Sequence, residues 1–150
     1  MRLLLFSIAF TALSFSSISA QTKHFTGNWT KIGTTYDFSF TLHLKHLHGN
    51  KVKGYFKWEL VSYDENYPLS VNHYKNRIGK KAKEFVSGTY DKSTKTYHLK
   101  GYKKEDPDLI IGKDYYKIQV DENGDIGGDT RTSGTWQGRI NGKYVLPEPT

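Results

Sequence analysis

The residues able to do chemistry fall into a few small groups. His43, His46 and His48 form an H-x-x-H-x-H run that has the look of a metal site. The run lies in an alternating segment, so His43 points to the opposite face from His46, and the three rings cannot converge on one ion without a bend. They read as solvated histidines at a strand end. Asp121, Asn123 and Asp125 have the first three ligand spacings of a calcium loop, but Ile126 stands at the glycine position and Thr132 at that of the bidentate Glu, so the segment reads as a hairpin turn. Glu59 and Asp114 exemplify a carboxylate pair that a fold could assemble for glycosidic chemistry, although no pattern singles them out. There is no G-x-S-x-G elbow, phosphate-binding loop or H-E-x-x-H motif. The chain has no cysteine, which excludes thiol catalysis, thiolate metal sites and disulfides. No catalytic residue, metal ligand or cofactor is assigned, and the expectation is a protein that is not an enzyme. Asn28-Trp29-Thr30 is formally a glycosylation sequon, but Asn28 falls within a strand pattern and the match reads as accidental.

Aromatic residues carry more information: eleven Tyr, eight Phe and three Trp. Phe38, Phe40, Phe56, Trp58, Tyr90, Tyr97, Tyr116 and Trp136 fall on inward faces, where they either fill a core or line an apolar pocket. Trp58, Tyr90, Tyr97 and Trp136 are the expected ligand-binding walls. A buried tyrosine hydroxyl needs a polar partner, and a ligand can supply it. The second candidate group is cationic. Lys75, Arg77, Lys80, Lys81 and Lys83 form a basic run suited to anions, in a chain whose formal net charge is +7. Tyr55, Lys57, Lys53, His98, Lys100 and Tyr102 mix base with aromatic on outward faces.

The elements that must position these side chains are β-strands. From residue 25 onward short alternating runs are separated by turn signals, with no convincing helical period. Eight strands are predicted, at 25–32, 36–46, 51–60, the two arms of a hairpin at 85–102, 113–120, 125–131 and 134–144. Tyr36, Phe38, Phe40, Leu42 and Leu44 face in along the second, and Val52, Gly54, Phe56, Trp58 and Leu60 along the third. Between Ser62 and Glu84 the pattern fails over a stretch that contains Pro68 and most of the basic run. A connection that long is commonly a binding loop or lid, and a short helix or irregular strand is expected within it.

Register follows from glycines. A four-residue loop from Lys92 to Lys95 sets Gly88 opposite Leu99 and Gly101 opposite Val86, a small residue facing a large one, as a tightly coiled barrel requires. A three-residue loop at Glu122-Asn123-Gly124 pairs Val120 with Ile126 and Ile118 with Gly128. A three-residue loop from Gly49 to Lys51 pairs Leu44 with Phe56 and keeps apolar side chains on one face. The fold expected is an all-β, eight-stranded antiparallel meander barrel, with a β-sandwich as the competitor.

Residues 1–20 hold one basic residue, Arg2, an apolar run and a Ser-rich end closing on Ser17-Ile18-Ser19-Ala20. This predicts a secretory signal peptide cleaved near Ala20, leaving a single domain over residues 21–150 that is secreted or periplasmic. The apolar run is shorter than the roughly 20 residues a membrane span needs, and no later segment qualifies.

The triplet Gly27-Asn28-Trp29, opening the first strand, resembles the G-x-W signature of the calycin group, the lipocalins, avidins and their small relatives. The resemblance implies a Trp packed across one barrel end against an Arg from a late strand, here Arg139 or Arg131. Thr26-Gly27-Asn28-Trp29-Thr30 resembles the avidin opening, and Gly134-Thr135-Trp136-Gln137-Gly138 its later Gly and Trp strands. The polar residues that hold biotin in avidins have no clear counterparts, so biotin binding is not carried over. The span 84–144, with its EFVSGTY, LKGYKKEDPDLIIG and SGTWQG phrases, resembles a domain of uncharacterised exported bacterial proteins, which brings no activity.

Three functions are compatible with this reading. The first is a secreted binding protein that holds a small or extended ligand, a small hydrophobic molecule or a glycan, at a barrel mouth gated by residues 62–84. The second is an exported inhibitor or adhesion module that binds a protein partner, and the third is a basic anion- or glycan-binding surface. Nucleic acid is not favoured as a partner.

Overall fold

The computed structural model describes residues 21–146; the predicted signal peptide at 1–20 lies outside them. Eight strands run β1 Thr22–Lys31, β2 Asp37–His46, β3 Lys51–Ser62, β4 Lys81–Asp91, β5 Thr96–Glu105, β6 Tyr115–Val120, β7 Ile126–Arg131 and β8 Gly138–Val145, with one short helix, α1 Pro68–Tyr74, between β3 and β4. Each strand pairs antiparallel with the next, and β1 pairs with β8 from His24/Val145 to Lys31/Gly138, so the sheet closes on itself as a barrel. Closure excludes the sandwich and removes the edges of a flat sheet, save along 101–105 of β5, which extend past the start of β6.

Alternation builds the interior. Leu42, Leu44, Phe56, Val86, Ile118 and Ile140, one or two from each of five strands, are completely buried at mid-barrel. Each contributes about 1.5–3 kcal/mol by leaving water. Phe40, Phe56 and Trp58 pack against one another, with Phe56 and Trp58 stacked at 4.7 Å. The middle of the barrel is therefore solid.

The hairpin registers at Gly88/Leu99, Val86/Gly101, Val120/Ile126 and Ile118/Gly128 are those predicted. The β2–β3 register is not. Leu44 pairs with Gly54 and Leu42 with Phe56, across a four-residue loop at 47–50 in which Gly49 takes φ 70°. The two registers differ by two residues, so both keep the same side chains inside, and facing alone does not distinguish them. The glycine decides. A Cβ on Gly54 would run into the His43 carbonyl oxygen, just as one on Gly88 would strike that of His98 and one on Gly128 that of Lys117. All three hairpins thus set glycine against a large residue where the strands press closest.

Several boundaries also differ from expectation. β1 begins at Thr22, β6 at Tyr115 and β8 only at Gly138, so residues 132–137, Trp136 among them, form a loop. β4 reaches back to Lys81, which shortens the β3–β4 connection, and of the short helix or irregular strand expected within it the structure has the helix, α1. Among the described residues, no helix is long and apolar enough to cross a membrane.

Candidate functional site at the barrel mouth

The strands end differently at the two ends of the barrel. At one end the connections are the tight turns 47–50, 92–95 and 121–125; at the other they are 32–36, 63–80, 106–114 and 132–137. The second end holds a cavity of about 190 Å³ walled by Trp29, Tyr36, Phe38, Trp58, Tyr74 and Tyr116. Its rim runs through Lys31, Gly112, Thr132 and Gln137, all exposed.

Glu84 lies in its wall. On β4 it occupies the inward position between Ala82 and Val86, and it is 1% exposed. Gly101, on the facing strand, makes room for it: a Cβ there would collide with the Glu84 carboxylate. Three donors reach that carboxylate: Trp58 Nε1 at 3.2 Å and the Tyr116 hydroxyl at 2.5 Å to Oε2, and the Asp114 backbone N–H at 3.0 Å to Oε1. Three ion pairs form among the described residues, Lys81–Glu59, Lys104–Asp106 and Lys143–Asp125, and Glu84 belongs to none of them. Burial pushes its acid up to about 7; the three hydrogen bonds pull the other way but lose, and the nearby charge of Asp114 adds to the rise. Burial also raises Asp114, whose carboxyl accepts from Thr132 Oγ1 at 2.9 Å. Two carboxyls with raised pKa values therefore share a cavity lined by rings, a concentration typical of functional sites.

Two elements cover this end. In the 106–114 loop the Asp106 carboxylate accepts from the backbone N–H groups of Ile110 and Ile111 at 2.9 and 3.0 Å and from Lys104 Nζ at 3.1 Å. Burial would raise Asp106, but these donors outweigh it and hold the acid below its ordinary value. The clamp sets Ile110, 1% exposed, into the mouth. From the other side α1 lays Tyr74 on Tyr36 with centroids 4.7 Å apart, and His73 Nε2 donates to the Leu109 carbonyl at 2.6 Å. The 63–80 connection and the 106–114 loop thus both reach the mouth.

The ligand walls predicted from sequence do not assemble into one site. Trp58 lines the mouth cavity. Tyr90 and Tyr97 sit at the far end, 4.5 Å apart, where the Tyr97 hydroxyl lies 2.7 Å from His46 Nε2. Trp136, predicted to face inward, is 41% exposed, with the Arg131 guanidinium 5.0 Å above its ring; it fails to reach the interior because its segment is a loop. The basic run divides as well. Lys75, Arg77 and Lys80 follow α1, whereas Lys81 and Lys83 point outward from β4, Lys81 to Glu59 at 3.7 Å and Lys83 over the Tyr55 ring at 4.2 Å.

Trp29 stands at the mouth, where the calycin resemblance implies a partnership with Arg139 or Arg131. Its Nε1 instead donates to Thr130 Oγ1 at 2.7 Å, and its ring packs on Tyr36 and Phe38 and against Gly138. Arg139 is exposed, and Arg131 lies over Trp136 and Tyr115. His43 and His46 point to opposite faces, His43 stacking on Tyr55 and His46 entering the far-end cluster. Glu59 is on the outer surface, so it forms no pair with Asp114.

Glu84 is the residue the sequence reading missed. Starting β4 at residue 85 hid it, yet carrying the Val86–Gly88–Tyr90 face two residues back places a glutamate inside the barrel, and Ala82 beyond it continues the pattern. No protein-family model, no curated protein and no solved structure matches this chain.

Proposed function

We propose that this protein is a binding protein, exported if residues 1–20 act as the signal peptide they resemble, which takes a small organic amine or ammonium ion into the barrel mouth. The observation that carries the reading is Glu84, a buried carboxyl with no cationic partner in a cavity walled by aromatic rings. A buried carboxylate is costly until a cation or strong donor joins it. A ligand ammonium supplies that partner, and the aromatic walls, Trp29, Trp58 and Tyr36 among them, suit the organic part of such a cation. The inner wall is set against anions, since Asp114 repeats the negative charge. A dry cavity of about 150 Å³ accommodates benzene, so a cavity of this size suits a ligand of roughly six to ten non-hydrogen atoms.

Titration calorimetry and tryptophan fluorescence with aromatic and aliphatic amines, their isosteric alcohols and the matching carboxylates test this. Amines are expected to bind at least about tenfold more tightly than the alcohols, with Glu84→Gln removing that margin. Equal affinity for amine and alcohol, or a margin that survives in Glu84→Gln, overturns the assignment.

A further inference from the structure

The outer surface carries a pattern unrelated to the mouth. Across β1 to β5 the outward residues of one register row are His24, His43, Tyr55, Phe85 and Lys103, each the direct partner of the next. Next to it, on the far-end side, runs the row Thr22, Lys45, Lys53, Ser87 and Lys100, and on the mouth side Thr26, Thr41, Lys57, Lys83 and Glu105. An aromatic stripe is thus bordered by lysines, with Glu105 the one carboxylate in the three rows. At about 4.8 Å per strand the stripe is about 19 Å long and runs across the strands.

Two details separate this from ordinary surface charge. Lys45 is directly opposite Lys53, and Lys57 directly opposite Lys83. Like charges in facing positions weaken a sheet. Lysines are often placed on outer strands to protect a sheet edge, but these four lie on β2, β3 and β4, each paired with a neighbour on both sides. The rings also have a definite task. His43 and Tyr55 stack at 4.6 Å, with the edge of His24 against His43 at 4.4 Å. Lys83 Nζ sits 4.2 Å from the Tyr55 centroid and 4.7 Å from that of Phe85, and Lys103 Nζ 5.2 Å from that of Phe85. The ring faces are occupied by one another and by ammonium groups. They hold cations in place and offer no open platform on which a nucleobase could stack.

We propose that this face binds a linear acidic polysaccharide, its sulfates or carboxylates following the two lysine rows across the strands. Charge complementarity supplies the attraction, and the cation-bearing rings fix the lysines in line with the chain of anions. The occupied ring faces argue against single-stranded nucleic acid. The proposal is independent of the mouth site.

Fluorescence anisotropy of labelled heparin oligosaccharides with the full chain, over a salt series, tests it. Affinity is expected to fall steeply and linearly with the logarithm of salt concentration. Lys53→Glu/Lys57→Glu is expected to weaken binding at least about tenfold, whereas the charge-matched Lys113→Glu/Lys117→Glu, on and before β6, changes it less than about threefold. Tyr55→Ala, checked for folding by circular dichroism, is expected to weaken it measurably while leaving net charge unchanged, and Glu84→Gln to leave it unaltered. Equal losses in the two charge-matched variants, undetectable binding at low salt, or tighter binding of a single-stranded oligonucleotide or of anionic phosphatidylglycerol vesicles than of heparin overturns the proposal.

Discussion

Both ends of the barrel are stoppered by aromatic side chains, yet they handle buried polarity in opposite ways. At the far end Tyr90, Tyr97 and His46 close over one another, and the Tyr97 hydroxyl and the His46 ring satisfy each other at 2.7 Å. Burial, reinforced by Lys23 and Lys92, lowers the His46 pKa, which suits a neutral ring. At the mouth the buried polar group is an acid that burial holds toward its protonated form, reached by three neutral donors and by no cation among the described residues. The far end is complete in itself; the mouth holds an acid whose ionised form has no cation beside it among the described residues. Connection length follows the same division, because a tight turn brings only its own few residues, whereas the 63–80 and 106–114 connections bring Tyr74, Ile110 and Asp114 over the opening. Aromatic content is common to both ends; the buried acid among the rings is what sets the mouth apart.

The largest effect that separates the ends comes from removing the far-end plug. Tyr97→Ala is expected to cost about 3–5 kcal/mol in denaturant unfolding, because Tyr97 is completely buried. Amine affinity at the mouth should change by less than about twofold in the folded variant; a larger loss would show that the two ends are coupled.

A smaller contrast lies in pH dependence, where the ends carry opposite signs. Glu84 keeps its proton in the folded protein up to about 7 and releases it at the ordinary value of 4.5 when unfolded. Its contribution to stability is therefore fullest below 4.5 and is lost as pH rises to about 7, by up to about 3 kcal/mol. His46 behaves in reverse: with a lowered pKa, its folded environment favours the neutral ring, so stability is present above 6.5 and is lost as pH falls below it. Unfolding midpoints measured from pH 4 to pH 8 should lose their downward slope in Glu84→Gln and their low-pH decline in His46→Gln. Identical profiles for wild type and Glu84→Gln would mean that the acid titrates normally.

The smallest expected effect concerns the residue that belongs to neither end. Trp136→Ala should alter stability by no more than about 0.5 kcal/mol and leave amine affinity unchanged, since its ring is on the surface beneath Arg131. A drop in affinity would extend the site across the 132–137 loop.

The architecture was legible because its determinants are local. Alternation in β2 and β3 assigned Leu42, Leu44, Phe56 and Trp58 to the interior, and Gly88 and Gly128 fixed two registers. The β2–β3 register was readable from Gly54 by the same rule, but equal facing in both alternatives concealed it. The site was legible only in part. Trp58 followed from alternation; Tyr97 shares its inward facing, but it lies just past the 92–95 turn while Trp58 lies far along β3 from the 47–50 turn, which puts them at opposite ends. Asp114 and Ile110 reach the mouth through a loop shaped by Asp106, a carboxylate whose backbone partners Ile110 and Ile111 leave no periodic trace. Trp136 misled because Gly134-Thr135-Trp136 alternates like a strand without being paired as one.

The fit between Glu84 and Gly101 also bears on how this site can change by descent. A Cβ at residue 101 would overlap the carboxyl end of Glu84, a flexible side chain that can swing aside, so a side chain gained there moves the acid away from Trp58, Tyr116 and the Asp114 N–H without excluding it. The mouth chemistry can therefore be altered at either of two positions distant in the chain, by replacing the glutamate or by filling the glycine opposite it.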